Sequence, residues 1–323
     1  NGVVEDKPHL LLEPSATNLF TFSEDYSQSY WTKSSVTLTS GFLAPDGSLN
    51  ASKLVANASD SSLRIDFNAT SGTTYSLSFY LKTTSGTLDT TIGLGSPAFP
   101  QNEGEGGRYK NITVTNEWQR FTLTSTADAT ANTGISFGGF SGFSTGEEVL
   151  IFAAQLETTG YPTSYIPTAG TTITRAAETC NNSKPSVNST EGVLYAEIAS
   201  LTTEGTGATR LSVNDGSQDN NVTIGYSASN TVRIIIRSSS SNQALITSTQ
   251  TITDFLKIAV KYKANDFALY INGSLIGTDT SGSAPSGMND VSFDKGDGTL
   301  DWYGKVKGLA VYNEALSESQ LMQ

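Results

Sequence analysis

Carboxylates are the most numerous chemically active side chains of this chain, with 31 Asp and Glu among 323 residues. Glycoside hydrolysis needs two of them at a fixed separation, one as an acid and the other as a base or nucleophile. Glu103 and Glu105 are close in sequence, but they lie in a glycine-rich loop that cannot hold such a separation. No strand carries the pattern Glu-x-Asp-x-x-Glu. The carboxylates therefore predict no hydrolytic site.

Histidine and cysteine occur once each, as His9 and Cys180. A lone histidine near the start of the chain excludes a serine- or cysteine-based catalytic triad in the main body. One cysteine excludes an intrachain disulfide. One histidine and one cysteine are too few ligands for a His/Cys zinc site. No glycine-rich phosphate loop with its lysine is present. We expect this protein not to be an enzyme.

Sugar binding is the chemistry that the remaining residues favour, because aromatic faces pack on sugar C–H groups while amide, carboxylate and guanidinium groups bond the hydroxyls. The alternative is that Tyr80 covers a sheet edge, Gln155 is solvated and Trp302 is core packing. Trp31 and Trp118 are interpreted as packing residues. The candidate carbohydrate-binding residues are Tyr80, Arg108, Tyr109 and Gln155 in the first half and Trp302 and Tyr303 in the second.

Strands must position these side chains. Only 15% of residues are charged, and Ser, Thr, Asn and Gly separate the apolar positions, as is typical of hydroxyl-rich β-proteins. In residues 74–83 (TYSLSFYLKT), Tyr75, Leu77, Phe79 and Leu81 alternate with polar residues and Tyr80. About eight such stretches precede residue 158, and a second series begins at residue 192. The sequence predicts an all-β fold of two tandem antiparallel β-sandwich (jelly-roll) domains.

The boundary between the two domains is predicted within residues 160–180, where Pro162 and Pro167 exclude a central strand. The Asn272-Gly273 pair predicts a tight hairpin, and a short helical tail is expected from about Leu316. The predicted organisation is an extended N-terminal arm (1–17), a first sandwich (18–167), a linker (168–186) and a second sandwich (187–323).

Net charge limits the partners. The formal charge of −12 repels phosphate backbones and anionic lipid surfaces, so we expect neither nucleic-acid binding nor membrane association. No apolar run approaches the ~20 residues of a membrane-spanning helix, so no membrane insertion is expected.

The first half resembles the galactose-binding-like, jelly-roll carbohydrate-binding modules of bacteriophage tail and fibre proteins. The resemblance spans most of residues 9–180. It is carried by APDG (44–47), YSLSFYLK (75–82), EWQRFT (117–122) and AQLE (154–157), and by GYPTSYIPT (160–168) followed by TRAAE (174–178).

The second half, about 187–323, resembles the laminin-G/concanavalin-A-like lectin superfamily. That resemblance implies a fold but leaves the ligand open, because the fold hosts lectins, hydrolases and structural spacers. It is carried by KIAVKY (257–262), ALYING (268–273) and GKVKGLAVYNEALS (304–317).

The first resemblance also implies a structural Ca²⁺ near the first and last strands of that domain, with Glu24 and Glu157 as ligands. In the second half, Asp215 and Asp219 are candidate Ca²⁺ ligands, and Asp294 and Asp297 also occupy loops. A calcium site needs about six converging oxygens, which a sequence cannot establish. The alternative is that these aspartates are solvated turn residues.

Together these patterns predict a non-catalytic protein that binds a host surface polysaccharide. From the phage resemblance we expect a virion or extracellular location, contacts with other virion proteins, and a homo-oligomer, in particular a trimer. The alternatives are a binding appendage of a secreted polysaccharide-degrading enzyme, a ligand-free structural decoration of the virion, and an autonomous lyase or hydrolase.

Overall fold

The computed structural model describes residues 9–59, 61–138, 143–180, 183–203 and 209–322. Almost all regular structure in this part of the chain is antiparallel β-sheet, which confirms the predicted fold class. The chain divides into two compact units. The first is Ser15–Ala176, and the second is Ala177–Gln323 together with the segment that ends at Pro14.

The predicted N-terminal arm and linker both contain residues that pair with sheets. β1 (Leu10–Leu12) pairs with Gly304–Val306 and belongs to the second unit, whereas Ala16–Asn18 pairs with Ile173–Arg175 in the first. Residues 1–8 of the arm lie outside the described residues. The linker likewise divides at Ala176, so its first part belongs to the first unit and its last part to the second.

Two five-stranded sheets and one two-stranded sheet build the first unit. The sheets have the strand orders β10-β7-β12-β5-β4, β3-β6-β11-β8-β9 and β13-β2. The strands are β2 (Ala16–Asn18), β3 (Thr32–Ser34), β4 (Val36–Phe42), β5 (Ala51–Ala56), β6 (Ser62–Ala69), β7 (Thr74–Lys82), β8 (Leu88–Gly93), β9 (Tyr109–Val114), β10 (Gln119–Thr126), β11 (Ala131–Gly138), β12 (Glu148–Glu157) and β13 (Ile173–Arg175).

The core of the first unit lies between its two five-stranded sheets. The predicted inward set of β7 is confirmed: Tyr75, Leu77, Phe79 and Leu81 are buried in one apolar cluster with residues of both sheets. Alternation places Tyr80 and Lys82 on the opposite face, which we call the outer face of the β10-β7-β12-β5-β4 sheet.

The second unit is also a pair of sheets around one core. A six-stranded sheet has the order β1-β23-β14-β19-β20-β21, and a five-stranded sheet has the order β18-β17-β16-β15-β22. The strands are β14 (Glu191–Ala199), β15 (Arg210–Asn214), β16 (Asn221–Ala228), β17 (Thr231–Ser238), β18 (Ser241–Thr249), β19 (Leu256–Lys263), β20 (Phe267–Ile271), β21 (Ser274–Asp279), β22 (Asp290–Ser292) and β23 (Gly304–Tyr312).

Local sequence signals of the second unit are confirmed. Asn272 and Gly273, both at positive φ, form the two-residue hairpin between β20 and β21. The helical tail is the four-residue helix α1 (Glu318–Leu321), which Ser317 precedes as N-cap. No helix among the described residues is long and apolar enough to cross a membrane.

Candidate functional site

The outer face of the first unit's sheet brings together side chains from three neighbouring strands. Cross-strand pairing places Arg120 of β10 and Phe152 of β12 on either side of Tyr80 in β7. Directly paired residues of antiparallel strands point to the same face. The row Arg120-Tyr80-Phe152 therefore lies on the outer face.

Aromatic rings cover this part of the face. The Phe152 ring centroid lies 6.2 Å from that of Tyr80 and 5.7 Å from that of Tyr165. Phe152 is buried, whereas Tyr80, Trp118 and Tyr165 are half-buried and present part of their rings to solvent. The three half-buried rings and Phe42 pack on a small apolar cluster of Ala44, Ala51, Phe152 and Ala153. We call Phe42, Tyr80, Trp118, Phe152 and Tyr165 the aromatic patch.

Cations flank the aromatic patch. The guanidinium of Arg120 lies over the Tyr80 ring at 5.7 Å, and its Nη2 donates to Ser78 Oγ at 2.9 Å. Lys53 lies 5.7 Å from the Phe42 ring centroid and forms a 3.1 Å ion pair with Glu148. Hydrogen bonds from Thr84 and then from Lys53 hold the pKa of Glu148 below its usual value. An aromatic surface with positive side chains at its rim results.

The other half of the same face is closed, which corrects the interpretation of Gln155 as a carbohydrate-binding residue. Gln155 and Glu157 are fully buried. Gln155 accepts from the Ile166 N–H at 2.6 Å and donates to Glu157 Oε2 at 2.8 Å. Glu157 also accepts from the backbone N–H and the hydroxyl of Thr163 at 2.9 and 2.5 Å. These bonds fasten residues 159–168 onto the sheet, so we call this segment the cover.

Glu24, the other predicted ligand of a calcium ion in the first unit, holds a different part of the cover. Its carboxylate accepts from the Tyr165 hydroxyl at 2.9 Å and from Asn50 Nδ2 at 2.7 Å. Burial raises the pKa of Tyr165, with hydrogen bonding to Ser23 opposing and the nearby Glu24 charge adding to the shift. A cavity of about 330 Å³ borders Glu24 and is lined by Phe22, Glu24, Asp25, Ser40, Leu49, Asn50, Ser52, Thr168 and Ala169.

Arg108 and Tyr109 lie away from the aromatic patch. They stand at the start of β9, an edge strand of the opposite five-stranded sheet, and both are half-buried. These two candidate residues therefore do not share the outer face with Tyr80, because the long loop that precedes them leads to the other sheet.

Trp302 is a core residue of the second unit, which corrects its interpretation as a binding residue. Its side chain is fully buried, and its ring lies 5.0 Å from that of Tyr226. Tyr303 is half-buried, and its hydroxyl lies 3.3 Å from Asp301 Oδ2. Only Tyr303 of this pair is accessible.

A polar cavity in the second unit gathers loop aspartates. It encloses about 510 Å³ between the loop after β15 and the loop after β22. Asp290 Oδ1 is buried there and accepts no hydrogen bond from the described residues. The cavity is lined by Gly216, Ser217, Gln218, Asp219, Asp290, Ser292, Asp294, Gly296, Asp297 and Gly298. We call it the acidic cavity.

The pKa values of two carboxyls in the acidic cavity are shifted in opposite directions. Burial raises the pKa of Asp294, and the nearby Asp301 and Asp297 charges add to this effect. Burial also acts on Asp297, but hydrogen bonds from Thr299 and Lys295 outweigh it and lower its pKa.

The predicted calcium ligands are not gathered into one site. Glu24 and Glu157 bond the cover, and Asp215 accepts from Ser217 and Asn220 within its own turn. Asp219 accepts from the Ser240 hydroxyl at 2.7 Å. Among the described residues, no group of three or more His, Cys, Asp or Glu side chains is arranged to hold a metal ion. These ligand sets do not fit a Ca²⁺ site, and bound Ca²⁺ stays a prediction.

The family comparison bears on the second unit. Residues 198–322, less than half of the chain, match the concanavalin A-like lectin/glucanases superfamily. That stretch of the chain resembles this superfamily in sequence as well as in its paired antiparallel sheets. No curated protein matches the chain.

Solved structures that match part of the chain are distant in sequence. The carbohydrate-binding module CBM40 of the Ruminococcus gnavus IT-sialidase is 16% identical, with a TM-score of 0.36, over 45% of this chain and 95% of that one. An SAP-like pentraxin from Limulus polyphemus is 18% identical, with a TM-score of 0.34, over 43% and 70%. Tailspike protein 4 of bacteriophage CBA120 is 19% identical, with a TM-score of 0.31, over 43% and 21%.

Sequence reasoning missed two contributors to the outer face. Trp118 was interpreted as packing, and Arg120 was not singled out. Both lie on the same face of one extended segment, because they are two residues apart. The same spacing separates Tyr80 from Lys82. An alternating aromatic-and-cation pattern on two neighbouring strands is the signal that could have found this surface.

Proposed function

We propose that this protein is a non-catalytic glycan-binding protein and that the aromatic patch of the first unit is its binding surface. The observation that carries the proposal is the exposed part of Tyr80 and Trp118 beside Arg120 on a rigid sheet face. Sugar rings offer C–H faces that pack on aromatic rings, and their hydroxyls accept hydrogen bonds from a guanidinium.

A sheet face suits a polymer better than a small molecule. The patch extends across all five strands of the sheet, from Trp118 just before β10 to Phe42 at the end of β4, with Tyr80 and Phe152 between them. Five neighbouring strands span roughly 19 Å at the usual strand spacing. That width accommodates several consecutive sugar residues. The cover closes the other half of the face and limits a bound polysaccharide to the open half.

Binding without cleavage is supported by the state of two carboxylates on the same sheet face. Glu148 is paired with Lys53 and held by Thr84, and Glu157 lies under the cover with Thr163. A glycosidase needs one protonated carboxyl and one free carboxylate on opposite sides of the scissile bond. Neither Glu148 nor Glu157 meets this requirement.

Hydrolysis is the second candidate function, and one observation favours it. Asp294 and Asp297, which line the acidic cavity, have pKa values shifted in opposite directions. Opposite shifts are typical of an acid and its partner in carboxylate catalysis. Both side chains also bond their own turn, as Asp297 does with Thr299. A structural role in the loop explains that arrangement equally well.

The biological setting belongs to this proposal. The similarity of residues 160–168 and 174–178 to phage tail proteins supports a role as a virion tail or fibre component that adheres to host polysaccharide. Repetition of a weak site in a homotrimer would raise avidity through effective concentration. The alternatives are a binding appendage of a secreted polysaccharide-degrading enzyme and a ligand-free decoration.

Affinity electrophoresis through gels that contain bacterial or marine polysaccharides tests the proposal. We expect the intact chain to be retarded and Tyr80→Ala to lose most of the retardation. Tyr303→Ala, which removes a half-buried tyrosine of the second unit, is the matched control and keeps it. Absence of retardation in every gel would favour a ligand-free decoration. New reducing ends after incubation, lost in Asp294→Asn, would establish hydrolysis instead.

A further inference from the structure

The outer face carries three cations although the protein as a whole is acidic. The chain carries a formal charge of −12, yet Lys53, Lys82 and Arg120 all lie on this face. Lys82 and Lys53 pair across the sheet with the same residue, Leu150 of β12. The two lysines thus stand in one row, roughly 10 Å apart at the usual strand spacing.

Only one of these three cations has a carboxylate partner on this face. Glu148 neutralises Lys53 at 3.1 Å. No ion pair within the described ranges joins Arg120 or Lys82 to a carboxylate. Arg120 bonds only the neutral hydroxyl of Ser78, and its Nε is buried without an acceptor from these ranges. Arg120 and Lys82, both beside the aromatic patch, therefore have no ion-pair partner among the described residues.

Two further carboxylates on this side, Glu157 and Glu24, form hydrogen bonds that hold the cover. Glu157 is buried beneath the cover, where Thr163 and Gln155 donate to it, and Glu24 receives Tyr165 and Asn50. Glu157 pairs with Ser76 of β7, and Phe152 pairs with Tyr80 of the same strand. Ser76 and Tyr80 are four residues apart, so Glu157 lies roughly 13 Å along the strand from the row of Tyr80 and Arg120.

We propose that the outer face of the first unit selects polysaccharides whose sugar rings carry anionic groups, carboxylate or sulfate, over neutral ones. This rests on the proposed glycan-binding function and names the ligand class of the same site. The rings of Tyr80 and Trp118 pack on the sugar face while Arg120 and Lys82 bind the anionic substituent. A guanidinium forms two parallel hydrogen bonds with a carboxylate or a sulfate, which an ammonium cannot do.

The acidic remainder of the protein makes this selection local. A surface with a charge of −12 repels a polyanion at long range, so simple ion exchange is unfavourable. Binding of an anionic chain then depends on contacts at the positive face, where charge and ring packing act together. Salt weakens the charged contribution and leaves the ring packing largely intact.

Titration calorimetry of the intact chain with alginate, dextran sulfate and dextran tests the proposal. Alginate offers carboxylates, dextran sulfate offers sulfates, and dextran is neutral. We expect at least one anionic polymer to bind about tenfold or more tightly than dextran, in line with the strength of charge-assisted hydrogen bonds. A preference for alginate over dextran sulfate identifies the carboxylate as the source.

Four variants separate the face from general electrostatics. Arg120→Ala and Lys82→Ala should each weaken binding of the anionic polymer about tenfold, and Arg120→Lys should restore part of the loss. Lys110→Ala makes the same charge change on β9 of the opposite sheet, where Lys110 pairs with Glu105, and should have little effect. Unchanged melting temperatures show that the variants fold.

Each remaining outcome counts against a specific claim. Equal affinity for dextran and the anionic polymers overturns the anionic selection and leaves glycan binding intact. A loss in Lys110→Ala as large as in Arg120→Ala also overturns it, because general charge then explains the binding. No binding to any of the three polymers, together with no retardation in the electrophoresis, overturns both proposals.

Discussion

The aromatic patch of the first unit and the acidic cavity of the second are candidate sites of two units that are each built from paired antiparallel sheets. Different parts of the fold build the two sites. Most of the patch stands on strands, where Tyr80, Phe152 and Arg120 are set by cross-strand register. The cavity is built largely by turns whose aspartates bond their own backbone, as Asp297 does with Thr299. One surface is rigid and aromatic, and the other is hydroxyl- and carboxylate-lined.

This difference shows how similar architectures come to present different chemistry. Residues on a strand face have fixed spacing, which suits repeated stacking on a polymer. Turn aspartates gain stability from local hydrogen bonds, so their presence in a cavity does not by itself indicate a ligand. We therefore assign binding to the patch and treat the cavity as the comparison that can overturn this assignment.

Removing the buried tryptophan of the second unit should have the largest effect. Trp302→Ala is expected to lower the free energy of unfolding by about 3–5 kcal/mol, because it leaves a large cavity in the core. Trp118→Ala in the aromatic patch should cost clearly less stability and reduce glycan binding instead. Urea denaturation and affinity electrophoresis measure the two effects. Loss of glycan binding in a folded Trp302→Phe protein would contradict the contrast.

Loosening the cover should have the next largest effect. Glu157→Ala leaves the Thr163 N–H without its acceptor, and the Thr163 hydroxyl and the Gln155 amide keep only longer bonds to backbone carbonyls, so we expect a cost of about 1–3 kcal/mol. Hydrogen exchange of residues 159–168 should become faster. Glu148→Ala, on the same strand and face, removes only a partly exposed ion pair, and its cost is expected to stay below about 1 kcal/mol. Equal costs would show that the cover is not held by Glu157.

The pH dependence of the acidic cavity should show the smallest effect. The folded-state pKa of Asp294 is raised above its model-peptide value of 3.8, so its contribution to stability is present below that value and lost as pH rises through the folded-state pKa. The pKa of Asp297 is lowered, so its contribution is present above 3.8 and lost as pH falls through its folded-state pKa. Asp294→Asn should therefore raise the neutral-pH melting temperature slightly.

Melting curves between about pH 3 and pH 7 measure this effect, within the range where carboxyls titrate. Asp297→Asn is the matched control and should lower the neutral-pH melting temperature, because its stabilising charge is removed. The same direction of change in both variants would show that burial of the two carboxyls, rather than their different hydrogen bonds, determines their effect on stability.

Local patterns predicted much of the fold. Alternation in β7 identified the inward side chains from Tyr75 to Leu81, and Asn272-Gly273 fixed a hairpin, because each depends on neighbouring residues alone. The aromatic patch was only partly foreseen: Tyr80 was chosen, but its neighbours Arg120 and Phe152 depend on which strands pair. Strand pairing depends on long-range contacts that a single sequence does not state.

Two further errors concern burial that strand alternation does not predict. Gln155 was a candidate binding residue, and its position on β12 does place it on the outer face, but the cover then buries it. Trp302 precedes β23, where no alternation distinguishes a buried from an exposed side.

Strand β1 has a practical consequence for dissecting the protein. It precedes the first unit in the chain but forms the edge of the second unit's six-stranded sheet, with Leu12 in that unit's core. A fragment that starts at Ala177 would lack this strand and expose the backbone of β23 to intermolecular pairing. When the second unit is expressed alone, residues 9–14 should therefore be supplied as a fused or added peptide. The solubility of the unit should depend on that peptide.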